Sequence, residues 1–242
     1  MILAKAVRVL TGIAALACGS AAGAGPPYIT DDPDPTELGH WEIYNFADFG
    51  VDQGNLLGST GLDLNYGPLA GVQLTATLPL AIDTRSRPHV ASGEVELGLK
   101  YRFVHDATSG VSIAIFPRVF LPTGPGGGRA SLLLPVWAGI ERGKWTLFGG
   151  GGYRLRSGRG ARNSAIAAIA LTRAVSQRLV AGMEIAHEGG DSAGVRGTTT
   201  IDAGSIVTLS KHWSLLLSGG PVREDGSGRL TAHLYAALGL NF

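Results

Sequence analysis

Alternating apolar and polar residues are the dominant pattern of this chain, and the last fifteen residues show it most clearly. Every second position there is apolar: Leu230, Ala232, Leu234, Ala236, Leu238, Leu240 and Phe242. The residues between them are polar or small. A period of two indicates a β-strand with one apolar face. A tilted strand of about 9–11 residues is long enough to cross a bilayer, so the pattern predicts a membrane strand.

Similar alternation divides the chain into about twelve predicted strands, as in an antiparallel transmembrane β-barrel. They lie near 40–49, 58–66, 70–80, 91–104, 110–121, 130–141, 144–155, 162–174, 177–188, 197–209, 212–220 and 228–242. An even number places both termini on the periplasmic side. Longer connections are predicted at 50–57, 81–90, 122–129, 157–161, 189–196 and 221–227. The connections that alternate with these along the chain are short, at 67–69, 105–109, 142–143, 175–176 and 210–211. Long external loops and short periplasmic turns are typical of such barrels.

The charged residues of the predicted strands lie opposite the apolar positions. In the fourth strand, Val95, Leu97 and Leu99 share one face, while Glu96 and Lys100 share the other. In a soluble sheet these faces would be core and solvent, and in a barrel they are lipid and lumen. The predicted lumen-lining residues are Glu42, Asp48, Asp63, Glu94, Glu96, Lys100, Arg102, Arg118, Arg154, Arg156, Glu184, Glu188, Asp202 and His233. Confined charges of mixed sign are expected to pair, and they either brace the wall or set solute selectivity.

Aromatic residues collect at one end of the predicted strands. They start the upward strands and end the downward ones: Trp41, Tyr66, Tyr101, Phe103, Trp145, Trp213 and Phe242. Tryptophan and tyrosine favour the membrane–water boundary. The set therefore predicts an aromatic girdle at the periplasmic interface.

Composition narrows the class of protein further. The net charge is only +1 and charged residues make up 16% of the chain, which gives no basic surface for nucleic acid. Outside the N-terminus no apolar run approaches the 18 or so residues of a membrane helix. Residues 1–24 are predicted to be a signal peptide, with a charged start, a short apolar core and cleavage after Ala24. The alternative is a lipoprotein signal that ends at Cys18, the only cysteine.

Residues 25–39 are predicted to form an extended lead-in on the periplasmic side, either free or tucked into the barrel mouth, since their prolines exclude a helix or a central strand. The acidic residues Asp31, Asp32, Asp34 and Glu37 lack calcium-loop spacing. A solvated acidic turn is therefore preferred over a cation site. The predicted barrel domain follows over 40–242.

Motifs for catalysis are weak, and the chain is predicted not to be an enzyme and to need no cofactor. The glycines at 149–152 lack the Lys-Ser/Thr pair of a phosphate loop. His187 and Ser192 would be the base and nucleophile of an outer-membrane lipid hydrolase. The His-x-Ser-Asn-Gly segment of outer-membrane phospholipases is absent around them. No two histidines have metal-ligand spacing on one face.

The run from Pro26 to Glu42, PPYITDDPDPTELGHWE, resembles the opening of a bacterial family. That family consists of outer-membrane proteins associated with meta-pathway phenol degradation and described as transporters. The resemblance implies an outer-membrane barrel that passes small hydrophobic or aromatic molecules by passive diffusion. Twelve strands should enclose a narrow lined lumen.

We therefore expect a porin-like channel of a Gram-negative outer membrane. The expected partners are the lipid bilayer, the solute and the barrel-assembly machinery, which would recognise the C-terminal strand. A lipid hydrolase and a non-conducting structural barrel are the alternatives.

Overall fold

The computed structural model describes residues 27–124 and 128–242, and within these ranges regular structure is entirely β-strand. The predicted signal peptide lies outside the described residues. The strands are β1 (Trp41–Asp52), β2 (Asn55–Leu69), β3 (Val72–Asp83), β4 (Val90–Ser92), β5 (Glu94–Asp106), β6 (Val111–Ile115), β7 (Arg118–Pro122), β8 (Ser131–Arg142), β9 (Trp145–Leu155), β10 (Ser164–Ala174), β11 (Leu179–Glu188), β12 (Thr198–Thr208), β13 (Trp213–Glu224) and β14 (Leu230–Asn241). In the described part of the chain there is no helix that is long and apolar enough to cross a membrane.

The strands form one closed antiparallel barrel, because the last strand pairs with the first. β14 and β1 run side by side from Glu42 opposite Asn241 to Val51 opposite Ala232. The Trp41 amide donates to the Phe242 carbonyl at 2.8 Å, and the Phe242 amide donates back at 3.1 Å. The fourteen segments occupy twelve wall positions, since β4 and β5 share one and β6 and β7 share another. The prediction of a twelve-stranded barrel is confirmed.

Two predicted strands are each broken into two segments, for local backbone reasons. The segment predicted at 91–104 divides at Gly93, which lies opposite Pro79; the Gly93 amide donates to the Pro79 carbonyl, but Pro79 has no N–H to donate back. The segment predicted at 110–121 divides at Pro117, which has no N–H to donate to a ladder. Pro135 of the neighbouring β8 lies at the same break, where its carbonyl accepts the Phe116 amide at 3.2 Å.

The first external connection is much shorter than the sequence predicts. Residues 50–57 were expected to form a loop, but β1 and β2 continue to a two-residue turn at Gln53 and Gly54. Both turn residues have positive φ, 49° and 81°, as a tight type I′ hairpin requires. The alternation fades in this hairpin because strand ends outside a bilayer need no apolar face. The other long connections remain at one end of the barrel, here named the long-loop end, and the opposite end is the short-turn end.

The outer face of the barrel is apolar. Large hydrophobic side chains are exposed on every full-length strand, for example Leu62, Leu78, Leu99, Leu134, Leu147, Ile169, Ile185, Ile201, Leu217 and Leu234. A continuous apolar surface of this kind is not stable in water. The exposed band therefore requires lipid around it.

The inner face carries both charged and bulky apolar residues. The buried charged side chains include Glu42, Lys100, Glu184 and Asp202. Buried apolar side chains share that face: Tyr44, Phe46, Ala114, Phe116, Leu133, Trp137, Phe148, Ala170, Ala186, Leu216 and Ala237. The lumen is therefore narrowed by side chains over part of its cross-section.

The two faces of β14 predict unequal effects of a new charge. Leu234→Arg places a guanidinium on the apolar outer face and is expected to destabilise the barrel by about 2–4 kcal/mol near mid-membrane. His233→Arg places its guanidinium on the inner face between the Asp48 and Asp202 carboxylates and should be much milder. Heat-modifiable gel migration of the membrane fraction measures the folded share. Equal loss in both variants would contradict the face assignment.

Candidate functional site

The N-terminal segment, residues 27–40, runs inside the barrel rather than along its rim. Its C-terminal end joins β1 at the short-turn end, where the Gly39 amide donates to the Gly67 carbonyl at 2.7 Å. Further in, the Thr36 amide and hydroxyl both donate to Gln73 Oε1, at 2.8 and 3.1 Å. The prolines of the segment prevent it from joining the sheet. It is therefore held by side chains of the wall instead of by strand pairing.

The middle of the segment is held by charge. Lys100 Nζ lies 2.9 Å from Asp31 Oδ1 and 3.6 Å from Asp32 Oδ1, and its side chain is only 4% exposed. Arg102 lies 2.5 Å from Asp34. Three of the four acidic residues that the sequence indicated, Asp31, Asp32 and Asp34, are thus paired with lysine and arginine of the barrel wall rather than forming a solvated turn. The fourth, Glu37, is exposed next to His40.

The deepest part of the segment is held by one carboxylate. Glu184 accepts from the Ile29 amide at 2.9 Å, from the Thr30 amide at 2.8 Å and from the Thr30 hydroxyl at 2.6 Å. Both Thr30 and Glu184 are buried. Hydrogen bonds to an ionised acceptor are stronger than neutral ones. Glu184 is therefore the main latch for the tip of the segment, together with the Ser218 hydroxyl, which donates to the Pro27 carbonyl.

Two glycines of the wall make room for the Tyr28 ring. A Cβ at Gly182 would lie 2.8 Å from the Tyr28 hydroxyl, and one at Gly204 would lie 2.6 Å from its ring. The ring also lies 6.5 Å, centroid to centroid, from that of Phe148. Burial is the largest of the influences that raise the pKa of Tyr28, so the phenol stays neutral.

A histidine bridges two carboxylates on the same side of the lumen as Glu184. His233 Nε2 lies 3.0 Å from Asp48, and its Nδ1 contacts Asp202. The bridge crosses β13 at Gly220, where a Cβ would lie 3.0 Å from Asp202 Oδ1. We name this side the acidic wall: Glu42, Asp48, Asp63, Glu184 and Asp202. Asp63 accepts from Thr77 and Asn65, and Glu42 accepts from Tyr44.

The opposite side carries lysine and arginine next to aromatic rings. We name it the cationic wall: Lys100, Arg102, Arg118, Arg154 and Arg156. Lys100 and Arg118 lie over the Phe116 ring, at 5.1 and 4.9 Å, and Arg154 lies 3.8 Å from the centre of the Phe120 ring. Arg118 also pairs with Glu96 at 3.4 Å, and Arg154 with Glu94 at 2.7 Å.

Of the fourteen residues predicted to line the lumen, thirteen lie on the inner face by strand alternation and Arg156 directly follows β9, but they are not one cluster. The structure brings His233 together with Asp48 and Asp202. It pairs Glu94 and Glu96 with arginines of their own wall, and it joins Lys100, Arg102 and Glu184 to the N-terminal segment. Glu188 lies apart from these groups, exposed at the long-loop end of β11.

The predicted girdle residues lie toward the short-turn end on the outer face. Trp41, Tyr101, Phe103, Trp145, Trp213 and Phe242 are exposed there. Tyr66 is half-buried because its ring stacks on Trp41 with centroids 4.7 Å apart. The Arg173 guanidinium lies 5.1 Å from the centre of the Trp145 ring.

Sequence reasoning missed the aromatic residues of the lumen. Trp137 is fully buried on the inner face of β8, and Phe116, Phe120 and Phe148 share that side of the barrel. The run from Leu132 to Ala138 is apolar at every position, so alternation cannot assign its faces. The glycines of β9 are the available signal, since a Cβ at Gly150 would lie 3.0 Å from the Trp137 ring.

The residues considered for hydrolase chemistry are separated from each other. His187 lies in β11, where its Nδ1 is 3.1 Å from the Thr199 hydroxyl, whereas Ser192 donates to Asp191. No group of three or more potential metal ligands occurs in the described ranges. The arrangement around Ser192 is therefore not a nucleophile–base pair.

Two cavities open at opposite ends of the barrel. One of about 400 Å³ at the long-loop end is lined by residues that include Asp52, Arg196, Val222, Glu224, Arg229 and Thr231. The other, of about 550 Å³ at the short-turn end, is lined partly by the N-terminal segment, with Asp32, Pro33, Phe148, Thr172, Val180 and Ile206.

A closed twelve-stranded antiparallel barrel with an apolar outer face and a charged lumen is the fold of porin-like outer-membrane channels, and solved structures of that class match it. The COG4313 outer membrane channel from Pseudomonas putida F1 aligns with a TM-score of 0.68 and 14% identity, over 87% of this chain and 98% of that one. The KdgM porin aligns at 0.60 and 11%, over 84% and 99%, and the NanC porin at 0.61 and 9%, over 83% and 98%. No protein-family model and no curated protein sequence matches the chain. At these identities the likeness is one of fold.

Removal of the Glu184 charge is expected to release the tip of the N-terminal segment. Glu184→Gln weakens three hydrogen bonds. If docking of the segment becomes less favourable by roughly 2 kcal/mol, the released state should become about 30-fold more populated. The measurement is maleimide labelling of Ile29→Cys in a Cys18→Ser background. Glu188→Gln, on the same face of β11, is the matched control. Unchanged labelling after Glu184→Gln would show that Glu184 does not hold the tip of the segment in place.

Docking of the segment is expected to weaken as the pH rises. Burial is the largest influence on Asp32 and raises the pKa of its carboxyl to about 6, with smaller contributions from Asp31 and Asp34 and an opposing one from Lys100. A released aspartate has a pKa near 3.9, so docking takes up a proton. This stabilisation is complete below about pH 4 and is lost as the pH rises through about 6.

The labelling rate of Ile29→Cys, divided by that of the exposed reference variant Ser227→Cys, should accordingly rise about tenfold between about pH 5 and about pH 7. Asp32→Asn should remove most of that rise. A pH profile that Asp32→Asn leaves unchanged would show that another group controls docking.

Proposed function

We propose that this chain is a passive outer-membrane channel for small molecules of hydrophobic or aromatic character. The observation that carries the proposal is the construction of the lumen. The wall is closed by backbone pairing, and an irregular segment runs inside it, held by hydrogen bonds and ion pairs rather than by strand pairing. Cavities open at both ends of the barrel, which supports a channel rather than a purely structural barrel.

The membrane setting follows from the surface of the barrel. Its apolar outer face fits a bilayer, and closed barrels are the β-structures that satisfy their backbone groups there. We infer that the short-turn end faces the periplasm of a Gram-negative cell, with the aromatic girdle at that interface. The barrel-assembly machinery would recognise the C-terminal strand that ends in Phe242.

The aromatic character of the solute is supported by two features. Phe148 contributes to the lining of the cavity at the short-turn end, and the half-buried Phe120 ring lies beneath Arg154 on the inner face. The segment from Pro26 to Glu42 resembles the opening of outer-membrane proteins that are associated with meta-pathway phenol degradation. Transport would be diffusion down a gradient, and the charged walls would set preference through their fields.

The function is tested by uptake into proteoliposomes. Vesicles that contain the folded barrel should take up amino-acid-sized and single-ring solutes faster than vesicles with heat-unfolded protein, and should exclude trisaccharides. Uptake should stop when the inside and outside concentrations are equal, because diffusion alone drives it. Uptake no faster than in protein-free vesicles, for every solute, would identify a non-conducting barrel.

A further inference from the structure

The cationic wall continues toward the long-loop end beyond the N-terminal segment. Arg118 of β7, Arg154 of β9 and Arg156 immediately after β9 follow one another along it. Arg118 and Arg154 each have a carboxylate partner and a ring beneath the guanidinium. Arginines held in place beside aromatic rings can bind a solute that has both a negatively charged group and an apolar body. The charged group binds the guanidinium, and the apolar body lies against the ring.

Arg156 differs from the other four members of the wall. Its Nη1 donates to the Ser164 hydroxyl at 2.6 Å, but within the described ranges its guanidinium forms no ion pair. Arg154 follows the same inner face two residues earlier, so two guanidinium groups neighbour each other. Burial and then the charge of Arg154 lower the pKa of Arg156, while the carboxylates of Asp191, Glu94 and Glu188 raise it from beyond ion-pair distance. An arginine remains protonated near neutral pH. A guanidinium with no carboxylate in direct contact, in a partly desolvated position, is suited to a bound anion.

The inner end of the same wall already binds carboxylates from outside the wall. Lys100 and Arg102 hold Asp31, Asp32 and Asp34 of the N-terminal segment. These contacts show that the lumen is wide enough for a carboxylate to reach the wall. They also show that the inner positions are filled while the segment is docked, whereas Arg156, within the described ranges, contacts the Ser164 hydroxyl and no carboxylate.

We propose that Arg156, together with Arg154 and the Phe120 ring, forms an outer binding site for organic anions that combine a carboxylate with an aromatic body. This inference rests on the proposed channel function and specifies its solute class. The carboxylate accepts hydrogen bonds from the Arg156 guanidinium, and the ring of the solute lies along the apolar surface at Phe120. A neutral analogue lacks the charge-assisted bonds, and a cationic one is repelled.

The site is tested by equilibrium binding, which does not require transport. The probe is 4-fluorobenzoate, followed by fluorine NMR with the folded barrel in detergent micelles, and 4-fluorobenzamide is its neutral counterpart. The wild-type chain should bind the benzoate more tightly than the amide. Arg156→Gln should weaken benzoate binding about tenfold and leave amide binding unchanged. Arg159→Gln removes an exposed arginine from the same loop and should have no effect.

For a second variant we expect the opposite change in benzoate affinity. Glu94 neutralises Arg154 at 2.7 Å, and its side chain is 46% exposed at the edge of the site. Glu94→Gln frees the Arg154 guanidinium and should tighten benzoate binding about threefold. Tighter binding cannot result from misfolding, so this variant keeps the test decisive if Arg156→Gln folds poorly.

Equal benzoate binding by wild type and Arg156→Gln, or binding of the amide as tight as that of the benzoate, would overturn the proposal. So would weaker benzoate binding by Glu94→Gln. The outcomes are separable from those of the channel proposal. Benzoate binding that depends on Arg156 without uptake into proteoliposomes would refute transport alone, while uptake without Arg156-dependent binding would refute the site alone.

Discussion

The pairing of β14 with β1 is the constraint on which the rest of the structure depends. A strand edge left open in lipid would expose a row of unsatisfied N–H and C=O groups, each of them costly. Closure from Trp41 to Phe242 removes both edges at once. It also fixes which side of every strand faces lipid, because a closed sheet has one outer and one inner face and successive side chains alternate between them. Polar side chains that lie too far from the ends of the barrel to reach bulk water must therefore point into the lumen, whose width is fixed.

The arrangement of charges inside follows from that confinement. Carboxylates on one side and guanidinium and ammonium groups on the other need partners, since unpaired charges in a desolvated space are strongly unfavourable. Some find them within the wall, as Arg154 does with Glu94. Others are satisfied by the N-terminal segment, which brings three aspartates to Lys100 and Arg102 and backbone amides to Glu184. Its contacts are polar and its prolines keep it out of the sheet, so side chains of the wall hold the segment in the lumen.

Local pattern was enough to predict the barrel but not the contents of its lumen. The alternation of β14 and of β5 predicted both their faces, and the even number of strands agreed with closure. The break at Pro117 was readable in principle, since proline interrupts a ladder. The extent of β1 and β2 was not, because their ends lie beyond the apolar band and lose the alternation. Pairings such as His233 with Asp202, or Glu184 with Thr30, join residues that are distant in sequence, and one chain alone does not reveal them. Trp137 was hidden within a run that is apolar on both faces.

The central claim is that small molecules pass along the lumen and that the N-terminal segment blocks it. Single-channel recording in planar bilayers of the chain that lacks residues 27–36, beside the full chain, tests this claim most directly. We expect long-lived open steps of larger conductance for the shortened chain, while the full chain should be closed most of the time. A shortened barrel that folds, inserts and yet remains as silent as the full chain would contradict it.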